Sequence, residues 1–212
     1  TPVSSIRGYL ETLVNHPEID DDNRQLFTER AYLQCLRLSD MIRDISLITK
    51  LEEAPQLFRT EPVNVKNTFN EVVEELSETL SAHSISVTNE LPPVCVRGNY
   101  QLIYSIFRNL MENTAKYAGD GSSATINYSK DKDGIHHFDY HDNGHGVAPE
   151  LLDRIFERFF RLDNDRSRTS EGSGLGLSII KNAVIFHNGE ITAYNAEGGG
   201  LGFRFSLKDL PL

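Results

Sequence analysis

Cysteine is scarce in this chain of 212 residues, and long apolar runs and an N-terminal signal peptide are absent from it. The two cysteines, Cys35 and Cys95, stand in unrelated sequence contexts and form no CxxC pair. They therefore predict neither a disulfide framework nor a zinc ribbon, and they fit a reducing cytoplasmic compartment. Because no run of about 18 apolar residues occurs, we expect this part of the protein to be soluble.

Basic residues are in the minority. The chain has 21 lysines and arginines against 31 acidic residues, which gives a formal net charge of -10. This balance disfavours a general nucleic-acid binder, because lysine and arginine supply most of the affinity for a phosphate backbone. Proline is infrequent at 8 residues and 39% of the chain is hydrophobic, so the composition favours one or two folded globular domains over disorder.

The pattern of residues 1–52 predicts a helical hairpin. Apolar residues recur at a spacing of three or four in the first helix, and the polar segment 15–22 interrupts the pattern. Asp21 or Asp22 can cap the second helix, which carries a coiled-coil-like apolar seam. The seam comprises Phe27, Ala31, Leu38, Met41, Ile45 and Ile48. Two isolated helices cannot bury this surface, so we expect a dimeric four-helix bundle; packing against the C-terminal domain of the same chain is the alternative.

Two prolines mark residues 53–62 as an interdomain linker, and residues 63–212 then predict a compact α/β sandwich. Helices are expected over 64–82, 99–118, 148–158 and 174–188, and strands near 84–88, 94–97, 123–129, 135–141, 190–194 and 202–208. This order predicts helices that cover one face of a mixed sheet. Together with the hairpin, it makes the expected fold class α+β.

The helix expected over 99–118 carries an unusual polar face. Asn109, Asn113 and Lys116 lie at i, i+4 and i+7, with Glu112 beside them. An amide oxygen can ligate Mg²⁺, and a lysine can meet a phosphate as a point charge. A solvated polar stripe is the alternative, although apolar residues already pack the opposite face of the helix.

Asp142 follows a predicted strand and precedes the turn residues Gly144 and Gly146. A buried carboxylate at the back of a pocket would accept a hydrogen bond from an exocyclic amine, and it would favour adenine over guanine. A plain Asp-Asn-Gly turn is the alternative for this segment taken alone.

Gly172, Gly174 and Gly176 lead into an amphipathic helix whose first N–H groups and positive dipole end can bind an anion. The segment lacks the GK[ST] ending of a P-loop and the strand-to-helix context of a dinucleotide-binding fingerprint. The long polar stretch before it, residues 156–170, predicts a mobile lid whose arginines reach phosphates.

Three histidines spaced by four, His137, His141 and His145, raise the question of a zinc site. They straddle a predicted strand and a glycine turn, where a spacing of four does not present one ligand face, so zinc is disfavoured. His187 follows the last predicted helix and is interpreted as a packing or helix-dipole residue.

In order along the chain, residues 109–116, 142–146, 156–160 and 172–176 resemble the N, G1, F and G2 boxes of sensor histidine kinases. The opening Thr1-Pro2 segment resembles the second half of that family's H box, which is followed by its dimerisation helix. The resemblance covers essentially the whole chain. It implies a kinase that uses ATP and Mg²⁺, a homodimer formed through the hairpin, and a response-regulator receiver domain as partner.

The resemblance also implies which residues bind the nucleotide. Asn113 would ligate Mg²⁺, Asp142 would recognise adenine, and Tyr117 would pack beside the base. The other nucleotide contacts would come from Lys116, Gly144, Gly146, Arg161, Arg166, Gly172, Gly174, Leu175 and Gly176.

Catalytic roles are implied in the same way. Phosphoryl transfer would involve Asn109, Glu112 and Lys116. Thr1 would position the water that dephosphorylates the partner regulator. A helix cap formed by Thr1 and Pro2 is an equal alternative for that pair.

The resemblance would place the phosphoacceptor histidine and its adjacent acid just before Thr1, so this sequence cannot phosphorylate itself at that position. We therefore expect a truncated form of a larger kinase, a cytoplasmic domain that reaches the inner membrane only through N-terminal segments. Glu171 stands where the family often has glycine, and this change stiffens the lid. Another ATPase of the same superfamily and a nonenzymatic dimeric scaffold are the rival interpretations.

Overall fold

A computed structural model describes residues 2–161 and 173–211 of the chain. The chain divides into two compact units, Thr1–Leu47 and Ile48–Leu212. Within the described residues, no helix combines the length and the apolar character needed to cross a membrane. The two units are described separately below.

The first unit is a helical hairpin, as the apolar spacing predicts. Helix α1 spans Pro2–Asn15, and helix α2 spans Asp21–Glu53 and so continues beyond the unit boundary. The N-terminal cap of α2 is Asp20, not the predicted Asp21 or Asp22, because the Asp20 Oδ1 accepts a hydrogen bond from the Asn23 N–H at 2.9 Å. The rings of Tyr9 and Phe27 stack at 5.9 Å and join the two helices.

In its described residues, the second unit contains a mixed sheet and four helices besides the end of α2. Its strands are β1 Glu61–Asn64, β2 Ser86–Asn89, β3 Cys95–Gly98, β4 Ser123–Lys130, β5 His136–Asp142, β6 Ile191–Asn195 and β7 Leu201–Leu207. Its helices are α3 Val65–Glu75, α4 Ser77–Ala82, α5 Tyr100–Tyr117 and α6 Gly176–Phe186. Five strands form one sheet in the order β2-β4-β5-β7-β6, in which only the β2/β4 pair is parallel, and β1 pairs with β3 in a second, antiparallel sheet.

The core lies on one face of the five-stranded sheet. Alternate residues of β5 are buried, from His136 to Asp142, whereas the residues between them are half-exposed. Phe138 of β5 meets Phe107 of α5 at 6.4 Å, and Phe107 in turn meets Phe69 of α3 at 5.4 Å. These contacts confirm the prediction that helices cover one face of a mixed sheet.

Two of the predicted helices differ from the structure. The segment 64–82 is divided at Leu76, where ψ is 7°. The segment 148–158 is not a helix, and it forms only two short 3-10 turns, Pro149–Leu151 and Arg154–Phe156. Phe156 is buried against Phe203 of β7, with ring centroids 6.2 Å apart, so tertiary packing overrides the local helical preference.

The segment predicted as a linker, residues 53–62, is not irregular throughout. It contains a 3-10 turn at Pro55–Leu57, and strand β1 begins within it at Glu61. Pro62 pairs with Arg97 of β3, a position that proline tolerates because β1 is an edge strand. The assignment of functions to the two parts of the chain stays a prediction.

Candidate functional site

Helix α5 presents the predicted polar face. Three residues of its opposite face, Leu102, Ile106 and Leu110, are fully buried, whereas Asn109 and Asn113 are half-buried. The Asn109 Nδ2 donates to the Ser105 carbonyl at 2.8 Å, which leaves the Asn109 Oδ1 as an acceptor. Within residues 2–161 and 173–211, the Asn113 side chain makes no hydrogen bond or ion pair. An amide oxygen is therefore available at Asn113 for a hard cation such as Mg²⁺.

Glu112 holds two cations beside this face. Its Oε1 accepts from the Arg108 Nε at 3.0 Å, and its Oε2 accepts from the Lys116 Nζ at 3.0 Å. The side chains of Glu112 and Lys116 are 29% and 40% exposed, so water screens their ion pair. Such pairs contribute at most about 1 kcal/mol, and Lys116 can leave Glu112 for a phosphate at little cost.

Asp142 is the last residue of β5 and is only 4% exposed. Its Oδ1 accepts two backbone hydrogen bonds, from Gly144 at 3.0 Å and from Leu201 at 3.1 Å. Its Oδ2 lies 3.3 Å from the Thr114 Oγ1 and has no other partner in the described parts of the chain. A carboxylate oxygen can accept more than one hydrogen bond, so Oδ2 keeps room for an exocyclic amine.

Glycine is required where the chain leaves β5. A Cβ atom at Gly144 would lie 2.5 Å from the Cα of Ala118, the C-cap of α5, so any larger residue would push the turn away from this helix. Gly146 has a φ of +69°, and the following Val147 is fixed by Asn195 of β6. The Asn195 Oδ1 accepts from the Val147 N–H at 2.9 Å, and the Asn195 Nδ2 donates to the Val147 carbonyl at 2.7 Å.

The last glycine segment also reaches α5. A Cβ atom at Gly176, the first residue of α6, would lie 2.6 Å from the Asn109 Oδ1. Leu175, the N-cap of α6, is fully buried and its side chain forms no capping hydrogen bond. The N-terminus of α6 thus starts beside Asn109. The Leu175 N–H donates to the Ser173 Oγ at 3.2 Å, and among the described residues no side chain caps the first N–H groups of the helix itself, an arrangement that suits a phosphate.

The phenylalanine-rich segment is fastened to the same turn. The Phe159 N–H donates to the Gly174 carbonyl at 2.8 Å, and both residues adopt left-handed backbone conformations, with φ of +62° and +72°. A Cβ atom at Gly174 would lie 2.9 Å from the Phe159 carbonyl carbon. Phe160 lies under the Arg154 guanidinium, 5.0 Å from its ring centroid. The chain on both sides of residues 162–172 is therefore held by direct contacts.

The remaining predicted site residues are exposed or lie outside the described residues. Tyr117, at the end of α5, is 39% exposed, and Arg161 is exposed. Thr1, Arg166 and Gly172 lie outside the described residues. The individual roles of the predicted site residues stay predictions, because neither the geometry nor sequence similarity tests them one by one.

Sequence reasoning missed two supports of Asp142. One is the buried hydroxyl of Thr114. The sequence signals it only weakly, by a polar residue on the packed side of a helix. The other is the run Gly198–Gly200 before β7, where a Cβ atom at Gly200 would lie 1.9 Å from the Asp142 carbonyl oxygen. All three of these glycines have φ between +90° and +109°, so a tight turn delivers the Leu201 N–H to Asp142.

His137 and His187 make defined polar contacts. His137 bonds Asp131 through Nε2 at 2.8 Å, and the described residues contain no group of three or more metal-ligating side chains. His187 is fully buried: its Nε2 accepts from the Asn99 N–H at 3.0 Å, and its Nδ1 donates to the Ala183 carbonyl at 2.7 Å. Burial lowers the pKa of His187, so it remains neutral as these two bonds require.

Comparison with known proteins agrees with this geometry. Residues 98–211 match the family model of histidine kinase-, DNA gyrase B- and HSP90-like ATPases. The chain is 32% identical over 212 residues to the sensor-like histidine kinase SenX3 of Mycolicibacterium smegmatis, and the match covers 100% of this chain and 55% of SenX3. The chain thus spans about half the length of this curated relative.

Solved structures share the fold. The histidine kinase AdeS of Acinetobacter baumannii superposes with a TM-score of 0.79 at 17% identity, covering 100% of this chain and 96% of AdeS. The histidine kinase ThkA, solved in complex with the response regulator protein TrrA, superposes with a TM-score of 0.74 at 20% identity, covering 100% of this chain and 58% of that one. The match of the family model to more than half of the residues confirms the resemblance seen in the four boxes, and the chain belongs to the family of histidine kinase-, DNA gyrase B- and HSP90-like ATPases.

Proposed function

We propose that this chain is the dimerisation and ATP-binding part of a sensor histidine kinase. The observation that carries the proposal is the convergence of the glycine segments on helix α5. Gly144 abuts the end of this helix, and Gly176 abuts Asn109 in its middle. The acceptor Oδ2 of Asp142, the Asn113 amide and the N-terminus of α6 are therefore placed around one helix, as adenine, a cation and phosphates require.

In this proposal each group has a defined task. Asp142 accepts the exocyclic amine of adenine, and the first N–H groups of α6 hold phosphate oxygens. Asn113 would hold Mg²⁺, which when bound neutralises phosphate charge. Lys116 moves from Glu112 to a phosphate, and Asn109 fixes the N-terminus of α6 beside it. These residues contribute by positioning and electrostatics, which dominate catalysis of phosphoryl transfer.

The γ-phosphoryl group would pass to a histidine next to the Thr1-Pro2 pair and then to an aspartate of a response-regulator receiver domain. The complex of ThkA with a response regulator supports this class of partner. Thr1 would position a water for the reverse, phosphatase reaction. The proposal also includes an inner-membrane attachment through segments that precede Thr1.

A second copy of the chain would complete the bundle. Large apolar residues remain exposed along both helices of the first unit, and α1 has no buried residue. They include Val3, Leu10, Val14, Tyr32, Leu33, Leu36, Ile42 and Ile45, with exposures of 44–78%. Analytical ultracentrifugation should give a dimer, and the Leu36→Glu/Ile42→Glu variant should be monomeric. A monomeric parent chain would refute the dimer.

Nucleotide binding and phosphorylation test the central proposal. A fluorescent ATP analogue should bind saturably in Mg²⁺, and Asn113→Ala should weaken that binding much more in the presence of Mg²⁺ than without it. A version of the protein extended by the residues that precede Thr1 should become phosphorylated from ATP at an acid-labile position. The absence of saturable binding would leave the nonenzymatic scaffold as the better interpretation.

Turnover separates the proposal from the rival ATPase. A histidine kinase consumes ATP in proportion to the phosphohistidine that it forms, whereas an ATPase of the same superfamily releases phosphate over many turnovers. In the extended version of the protein, sustained phosphate release with no labelled protein would therefore refute the kinase.

A further inference from the structure

Asp142 is connected to two buried hydroxyl groups. The Thr114 Oγ1 lies 2.7 Å from the Tyr140 hydroxyl and 3.3 Å from the Asp142 Oδ2. Thr114 and Tyr140 are fully buried, and Asp142 is 4% exposed. Thr114 belongs to α5, whereas the other two residues alternate on the core side of β5. The three groups therefore form one chain of polar atoms between the helix and the strand.

The protons in this chain have a preferred direction. If Thr114 donated to Tyr140, the Tyr140 hydroxyl would donate its own proton to the Leu110 carbonyl at 3.5 Å or to the Met111 sulfur at 3.8 Å. If Tyr140 donates to Thr114 at 2.7 Å, the threonine proton points to the carboxylate of Asp142. The 2.7 Å bond forms in both arrangements, but the second adds a bond of 3.3 Å to a carboxylate, whereas the first adds a longer bond to an uncharged acceptor. A bond to a charged acceptor is the stronger kind, so the second arrangement is favoured.

We propose that Thr114 is a positioning residue that sets the base selectivity of the pocket by orienting the Asp142 carboxylate. This inference rests on the proposed nucleotide-binding function. Gly144 and Leu201 fix the Oδ1 of Asp142, so rotation about that anchor is limited by the contact of Oδ2 with Thr114, its one partner among the described residues. With the Thr114 proton on one side, Oδ2 offers its remaining acceptor capacity to the base.

The chemistry of this arrangement selects for an amine at position 6 of a purine. An amino group donates to Oδ2, whereas a keto oxygen at the same place faces a carboxylate with no proton to give. Loss of the Thr114 hydroxyl frees the carboxylate to rotate, so the bond to the amine weakens. A base that makes no bond to Asp142 has no such interaction to lose.

ATP and inosine triphosphate test the inference, because a keto oxygen in inosine replaces the amino group at position 6 of adenine; N1 then carries a proton, and the ribose and triphosphate are unchanged. Both are used with Mg²⁺ to displace a fluorescent ATP analogue from the whole chain. We expect Thr114→Val to weaken ATP binding about five-fold, while inosine triphosphate binding changes by less than about two-fold. Thr114→Ser, which keeps the hydroxyl, should retain the selectivity of the parent.

Thr68→Val is the matched control. Like Thr114, Thr68 is a buried threonine in a helix, but it lies on α3. Its hydroxyl donates to the Asn64 carbonyl at 3.0 Å. This variant should keep the parent ratio of the two affinities even if its stability falls. Equal weakening of the binding of both nucleotides by Thr114→Val, or loss of selectivity in Thr114→Ser, would overturn this inference but not the proposed function. Failure of the parent chain to bind ATP would overturn the proposed function as well.

Discussion

Gly176 lies directly against Asn109, so that a Cβ atom at residue 176 would be 2.6 Å from the Asn109 Oδ1. This contact joins the first residue of α6 to the polar face of α5. Two segments separated along the chain are thereby placed at one point, where the N-terminus of α6 lies beside the Asn109 amide. The φ of Gly176 is not left-handed, so glycine is needed at this position for the close approach of Asn109 and not for an unusual backbone conformation.

Gly176→Ala should therefore reduce nucleotide affinity more than stability. The added methyl group displaces the Asn109 side chain, which breaks its bond to the Ser105 carbonyl and moves the amide relative to α6. We expect about ten-fold weaker ATP binding, equivalent to about 1.4 kcal/mol, in a fluorescence titration. The matched control is Gly8→Ala in α1, where a Cβ atom meets nothing within 4 Å. An unchanged affinity in Gly176→Ala would contradict the placement of phosphates at this helix terminus.

Asp142→Asn should abolish base recognition while preserving the turn. The two N–H groups of Gly144 and Leu201 hold an acceptor at Oδ1, so the asparagine oxygen takes that place and its NH₂ group replaces Oδ2. A donor then faces the adenine amine. We expect ATP affinity to fall about 10- to 100-fold, the range for hydrogen bonds to charged groups.

The same strand offers a control for this substitution. Asp139 lies on the other face of β5, where it accepts from Arg204 at 2.9 Å and from the Tyr194 hydroxyl. Asp139→Asn changes the charge of the chain by the same amount as Asp142→Asn. Equal loss of ATP affinity in the two variants would point to a general charge effect and would refute base recognition by Asp142.

The local parts of the site could be predicted from the sequence. The polar face of α5 follows from a spacing of four and three residues within one helix, and β5 and its end at Asp142 follow from an alternating pattern and a glycine turn. Each of these signals lies within a few residues. The mixed sheet and its one covered face follow from the succession of elements, whereas the order of its strands was not predicted.

The contacts made at long range could not be predicted. Asp142 takes a hydrogen bond from Leu201, 59 residues away, and that bond depends on the register of β5 against β7 and on the turn before it. The helix expected over 148–158 failed for the same kind of reason. Burial of Phe156 on the sheet, which its local sequence does not encode, decides the conformation there.

His187 should make stability depend on pH. Burial lowers the pKa of His187, so as the pH falls the unfolded chain takes up a proton at this residue before the folded chain does. Protonation of His187 does not affect stability above pH 6.5, the approximate pKa of a histidine in the unfolded chain. Stability falls as the pH drops from there towards the lower pKa that His187 has in the folded chain. His187→Gln should reduce the slope of unfolding free energy against pH at pH values below about 6.5.

Urea unfolding at several pH values measures this slope. Part of it should persist in His187→Gln, because burial also lowers the pKa of His136. His83→Gln is the control, since His83 is half-exposed and bonds the exposed Asp120. A slope in His187→Gln equal to that of the parent would show that His187 does not titrate on unfolding.

Gly200→Ala should destabilise the second unit far more than Gly198→Ala, although both glycines belong to one turn. Their φ values are similar, +104° and +90°, so the backbone strain of an alanine is about 1 kcal/mol at either position. At Gly198 the new methyl group meets nothing within 4 Å, whereas at Gly200 it would lie 1.9 Å from the Asp142 carbonyl oxygen. Backbone atoms cannot move aside as a flexible side chain can, so β5 and β7 must separate at the site.

We expect the Gly200 variant to lose more than about 3 kcal/mol of unfolding free energy in urea and the Gly198 variant about 1 kcal/mol. Similar losses in both would mean that strain alone, without the contact to Asp142, determines the cost of this turn.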